Sequence, residues 1–255
     1  MLSQKPWTEI AAVRFVALLL VLIFAAMIVG QAWSLLGTMK PGADADFWKI
    51  LFGAVAQDGC ILIATFVFLR RENIRWSDAF GFSMSGKGAT LGLALLVGTI
   101  ALGIALALQA VSSELLSRLQ VEGGPQQVVA ILQAPRPLGQ QIGLGIITIA
   151  LAPLSEEVLF RGILYPTIKQ SGYPRWALWG TSLLFATIHF NRMAFLPLTV
   201  LALVWTWLYE MRNNLLAPIL AHSLFNAFGF LMALNAPQLR EFMRPLLHQL
   251  QRGGL

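Results

Sequence analysis

Charge is scarce in this sequence. Asp, Glu, Lys and Arg make up 12% of its 255 residues, against about 25% in an ordinary soluble domain. That shortage excludes a water-soluble fold of normal surface. Cysteine is nearly absent, with Cys60 alone, which excludes an intrachain disulfide and a thiolate metal cluster. Cys60 lies in an apolar run and reads as an inert buried thiol. Several hydrolytic signatures are missing as well. There is no His-Glu-x-x-His pair, no Gly-x-Ser-x-Gly elbow and no Gly-x-Gly-Asp motif. Internal repeats and low-complexity tracts are also lacking.

What is abundant is apolar sequence, 57% hydrophobic residues with a mean hydropathy of +0.69. Runs long enough to cross a bilayer are expected at Val13–Leu36, Trp48–Leu69, Ala89–Val111, Gln140–Leu164, Trp176–Phe190, Met193–Glu210 and Leu215–Leu234. The first run is longer than a signal-peptide core and no clear cleavage site follows it, so it reads as an uncleaved span. The expected fold is all-α: one membrane-embedded domain, 1–255, forming a polytopic bundle of about seven transmembrane helices, with six to eight compatible with the pattern. Gln238–Gln251 is expected as an interfacial helix broken by Pro245. Trp205, Trp207 and Tyr209 are expected as interfacial anchors. The net charge of +6 fits basic residues meeting lipid headgroups, so the bilayer and not nucleic acid is the expected partner. Arg70, Arg71, Arg75 and Lys87 form the densest basic loop and mark it as cytoplasmic.

One stretch breaks the apolar pattern. Pro153-Leu-Ser-Glu156-Glu157-Val-Leu-Phe-Arg161-Gly162 puts two carboxylates and a guanidinium inside the fourth run. Each charge at the bilayer centre costs about 2.5–3.5 kcal/mol on insertion scales. Glu157 and Arg161 are four apart with the acid first, the better order for an ion pair on a helix. Glu156 lies roughly 100° further round and has no local counter-charge. Pro153 is expected to kink the helix one turn earlier. His189 closes the fifth run, and His222 and Asn226 share a face of the seventh.

Glu156, His189, His222 and Asn226 together suit hydrolysis. A carboxylate beside an imidazole can deprotonate water, and imidazole and amide N–H groups can hold an oxyanion. Glu156, His189 and His222 also have the ligand types of a catalytic zinc site, so one zinc ion is a candidate cofactor. The three lie on separate spans, and a metal mechanism leaves no obvious base, which favours metal-free water activation. Each residue has a duller reading. His189 alone suits an interface, Asn226 alone suits helix–helix bonding, and Asp58 in the second run suits packing. Glu157 with Arg161 reads as a structural pair.

Glu156-Glu157-x-x-x-Arg161, Phe185-x-x-x-His189 and His222-x-x-x-Asn226, in this order on successive spans, resemble the three-motif signature of the CPBP intramembrane proteases. These are the type II CAAX prenyl endopeptidases and their bacterial Abi relatives. The resemblance covers Leu151 to about Leu234, and the basic loop leading to Phe80-Gly81-Phe82 is similar to the family's upstream region. It implies a multi-helix membrane fold whose core helices, 140–234, carry the site. It implies that Glu156 and His189 activate water, that His222 and Asn226 hold the oxyanion, and that Glu157 and Arg161 brace the site. The implied substrate is a membrane-associated protein or peptide, and the implied location is the cell membrane of a prokaryote. Two other classes remain in view: an ion- or proton-coupled transporter, which the lack of two related halves disfavours, and an inactive immunity or binding member of the same family.

Overall fold

The computed structural model describes residues 2–35, 43–82, 87–121, 131 and 136–252. Among them are eight helices and no strands. These are α1 Glu9–Leu35, α2 Ala43–Arg71, α3 Trp76–Phe80, α4 Lys87–Arg118, α5 Leu138–Gln170, α6 Pro174–Thr187, α7 Arg192–Arg212 and α8 Leu216–Arg252. Six of them, all but α3 and α6, are long and apolar enough to cross a membrane. The chain is a polytopic membrane helix bundle, as its composition requires.

The expected fifth span is the main departure. α6 has 14 residues, a rise of about 21 Å, short of a hydrocarbon core of about 30 Å. Pro174 opens it and the turn before Asn191 closes it. Both α5 and α7 finish where the N-terminal segment docks. Trp7 Nε1 donates to Thr167 and the Lys5 amide to Gln170, while the Leu2 amide donates to Glu210 and that of Ser3 to Asn213. α6 and the turn after it therefore carry the chain back through the bundle.

Other boundaries also shift. The expected turn at Tyr165–Arg175 is helical up to Gln170. The tail is no separate interfacial helix. α8 runs unbroken to Arg252, through Pro245. In the connection 112–139 the sequence suggests short amphipathic pieces at Leu115, Leu116 and Leu119 and at Val128, Val129 and Leu132; Leu115 and Leu116 belong to α4, while Val128, Val129 and Leu132 lie outside the described residues. Trp205 and Tyr209 are fully buried and are core, not interfacial anchors; Trp207 alone of the three is exposed.

Two of the apolar clusters flank the second half of α5. One joins α1, α2 and α3 to Val158 and Ile163; the other joins α4, α6, α7 and α8 to Phe160. α3 is seated by two glycines. Gly81 caps it with φ +69°, and a Cβ there would lie 1.9 Å from the Asn213 carbonyl oxygen. At Gly162 a Cβ would lie 2.7 Å from Cε1 of Phe80, itself fully buried. The Leu215 amide donates to the Phe80 carbonyl at 2.9 Å. The Phe80-Gly81-Phe82 turn thus wedges against the helix that carries the acidic pair.

α5 itself is not uniform. Ile147–Leu151 and Val158–Leu164 are π-helical, and Ala152–Glu157 between them is α. Each π run ends two residues before a proline, Pro153 and Pro166. A proline ring clashes with the carbonyl four residues back, and widening the turn relieves that contact. π segments concentrate at functional sites, and here they bracket the six residues that hold Ser155, Glu156 and Glu157.

Candidate active site

Glu157 is held more tightly than its neighbour Glu156. Its side chain is fully buried, and Oε1 accepts from Arg161 Nη1 at 2.9 Å and from His222 Nδ1 at 2.9 Å. Arg161 spends a second N–H, on Nη2, on the Ala202 carbonyl of α7 at 3.1 Å. Its guanidinium lies 4.7 Å from the centre of the Phe185 ring. The ion pair expected from the four-residue spacing is therefore present, inside a π turn.

Glu156 differs in every respect. It makes no hydrogen bond to a described residue. Among the described residues its nearest ionisable neighbour is His222, with Nε2 3.8 Å from Oε2, and its side chain is 13% exposed. His222 is thus shared: Nδ1 faces Glu157 and Nε2 faces Glu156. A carboxylate oxygen only accepts, so Nδ1 carries the hydrogen and Nε2 is left for chemistry. Trp205 stacks on the imidazole at 6.1 Å with a 20° tilt, and Phe185 meets it edge-on at 6.0 Å.

His189 sits at the end of α6, half-buried, with Nδ1 2.7 Å from the Phe185 carbonyl oxygen. The same reasoning puts hydrogen on Nδ1 and a lone pair on Nε2. Its ring packs 4.7 Å from that of Phe185. Phe185 therefore touches His189, His222, Arg161 and Phe160 together. Asn191 caps α7 by accepting from the Ala194 amide at 2.8 Å, which fixes the turn that carries His189.

Asn226 has a local explanation. In the π register the Ala152 amide bonds the Ile147 carbonyl. The next donor in that register would be residue 153, a proline, leaving the Thr148 carbonyl without one. Asn226 Nδ2 donates to that carbonyl at 2.8 Å. One amide hydrogen is spent there and the other remains. Asp58 of α2 also reaches α5: its Oδ1 accepts from Ser155 Oγ at 2.5 Å, both residues being buried.

The structure gathers Glu156, Glu157, Arg161 and His222 in direct contact or near it, brings His189 against the same Phe185 ring, and joins Asn226 to α5. Among the described residues no group of three or more His, Cys, Asp or Glu side chains is placed to hold a metal ion. Glu156, His189 and His222 do not fit a zinc ligand set here, and no step below runs through a metal. Sequence reasoning missed the Glu157–His222 contact and the Trp205 stack. It also missed the Asp58–Ser155 bond, although Asp58 was signalled as a charge within a span.

Fold and site together define a membrane helix bundle with a buried Glu–Glu–Arg–His cluster. Residues 138–228 match the family described as type II CAAX prenyl endopeptidase, Rce1-like, so the resemblance carried by the three motifs is borne out over this stretch. The chain is 38% identical over 93 residues to the UPF0177 protein YxdF of Lactococcus lactis, covering 36% of this chain and 49% of that protein. It is 33% identical over 81 residues to the uncharacterized protein YpbD of Bacillus subtilis, covering 30% and 39%. It is 30% identical over 124 residues to the UPF0177 protein YaiF of L. lactis, covering 47% and 49%. The chain thus spans about half the length, or less, of these curated relatives. No solved structure matches it.

Proposed function

We propose that this protein is an intramembrane endopeptidase that hydrolyses a peptide bond of a membrane-associated protein or peptide, in the cell membrane of a bacterium. The observation that carries the reading is the inequality of the two adjacent acids. Glu157 is consumed by Arg161 and His222, whereas Glu156 has no hydrogen bond to a described residue. An ionisable group left unpaired within a span is a functional site by default.

The chemistry follows from the free atoms. His189 Nε2 and Glu156 hold a water, and Glu156 takes one of its protons as the oxygen adds to the scissile carbonyl carbon. The resulting oxyanion accepts from the second amide hydrogen of Asn226 and, when Nε2 carries a proton, from His222. The C–N bond then breaks, and the proton held by Glu156 passes to the leaving nitrogen. Glu157 and Arg161 act as braces: they fix the ring plane of His222 and tie α5 to α7.

The family match at residues 138–228 supports this reading at the level of reaction class. The test is purified protein in liposomes incubated with a peptide library, with products read by mass spectrometry. Cleavage is expected from the wild type and is lost in both Glu156→Gln and His189→Ala. Cleavage that persists in Glu156→Gln overturns the assignment.

A further inference from the structure

The proposed function gives every ionisable group at the site a part, in the reaction or as a brace, except Asp58. This carboxyl sits inside α2, a candidate span, and is 3% exposed. Its Oδ1 meets Ser155 Oγ at 2.5 Å. Ser155 is fully buried, and its hydroxyl is also 3.1 Å from the Ala152 carbonyl. The serine thus binds the start of the short α segment Ala152–Glu157 to a neighbouring helix, one residue before Glu156.

That position is informative because of what surrounds it. A π run lies on each side of the segment. Glu157 is fixed by two partners of its own, whereas Glu156 has no hydrogen bond to a described residue. What fixes Glu156 is the segment that carries it, and Asp58 reaches that segment from α2 through the side chain of Ser155, the residue before Glu156. An ionisable group within a span is expensive, so a bond that only packed α2 on α5 would be made at lower cost by two apolar side chains.

We propose that Asp58 is a positioning residue for Glu156, acting through the Ser155 hydroxyl to hold the α segment between the two π runs in register. It touches neither water nor substrate. The inference rests on the reading of Glu156 as the base, and its test is arranged so that the two can fail separately.

The variants are Asp58→Ala, Asp58→Asn, Ser155→Ala and the double variant Asp58→Ala/Ser155→Ala, each in the full chain. The first readout is kcat and KM per folded molecule on a cleaved peptide. The second needs no activity: the rate at which dicyclohexylcarbodiimide, an apolar carboxyl reagent, labels Glu156, mapped by mass spectrometry. Asp58→Ala and Ser155→Ala are each expected to lower kcat about tenfold or more with KM unchanged, and to change the labelling rate of Glu156 severalfold. The double variant is expected to be no worse than either single one, because both act through one bond. Asp58→Asn keeps an oxygen for the Ser155 hydroxyl and is expected to stay within about threefold of wild type in both readouts.

A lower melting temperature with unchanged kcat and unchanged labelling makes Asp58 a packing residue and overturns the proposal. So does failure of Asp58→Asn to rescue, or additive losses in the double variant. If no peptide is cleaved, or if Glu156→Gln cleaves normally, the endopeptidase reading fails, and the labelling series still decides whether Asp58 positions Glu156.

Discussion

Glu157→Gln removes a charge and leaves the shape of the side chain almost unchanged. Its consequence can be worked from the contacts. Arg161 is 1% exposed and Glu157 is its carboxylate partner, at 2.9 Å. The Ala202 carbonyl and the Phe185 ring remain, but neither carries a full negative charge. Breaking a buried pair by removing one partner typically costs about 3–5 kcal/mol, because the other charge stays buried. For a chain of this size that corresponds to a fall in melting temperature of about 6–20 °C. The surface pair Arg118–Glu114 gives the contrast. It is geometrically as good at 2.7 Å, but its side chains are 76% and 63% exposed, and such pairs contribute about 1 kcal/mol or less. The assay is thermal unfolding in detergent by intrinsic fluorescence. Glu157→Gln should melt well below wild type, and Glu157→Gln/Arg161→Met should recover part of the loss by removing the stranded charge. Glu156→Gln should melt within about 2 °C of wild type, since no hydrogen bond to a described residue is lost. Equal melting of the two single variants would refute the unequal roles of the two acids.

Four further outcomes follow from the same contacts. Asn226→Ala should lower kcat by about 10²-fold or more with KM little changed, as for one oxyanion donor; a rise in KM alone would make Asn226 a substrate-binding residue. Gly162→Ala should destabilise by about 1–3 kcal/mol, since the added carbon meets the fully buried Phe80 ring, and Gly81→Ala by more, since the obstacle is backbone and φ is +69°; urea or thermal unfolding gives the order. Burial holds the Lys5 ammonium at about 8, below its ordinary 10.5. The unfolded chain therefore binds more protons between those values, and stability rises with pH across that window. Lys5→Met should be the more stable at pH 7, with the difference closing by about pH 10.5. Elemental analysis of active protein, with chelation and zinc re-addition, should find activity independent of zinc; stoichiometric zinc that restores chelated enzyme would recast Glu156, His189 and His222 as ligands.

The legible part of the fold was its class. A low charge content and long apolar runs specify a membrane bundle without further information, and the order of the three motifs pointed to the candidate site. The spacing of Glu157 and Arg161 gave their bond because both partners lie one turn apart on one helix, where geometry is local. His222 was harder to place. It was read with Asn226 because they share a helix face, whereas its closest polar contact is Glu157, 65 residues away. Long-range pairing of that kind has no local signal. The two π runs were half-visible, in Pro153 and Pro166, but a proline in an apolar run announces a disturbance and not its type. Trp205 looked like an anchor because aromatic residues near span ends usually are; its burial against His222 depends on how α7 packs on α8. α6 read as a span because apolarity is set by composition, whereas its 14-residue length is set by Pro174 and the turn at Asn191.

The central claim is that Glu156 drives water onto a peptide carbonyl within the membrane. The direct measurement is hydrolysis of a cleaved peptide in ¹⁸O-enriched water by protein in liposomes, with the new C-terminus weighed by mass spectrometry in a single turnover. One ¹⁸O atom in the new carboxyl group is expected from the wild type, and no product from Glu156→Gln. Product formed equally by Glu156→Gln, or product from the wild type without the heavy oxygen, would contradict the account.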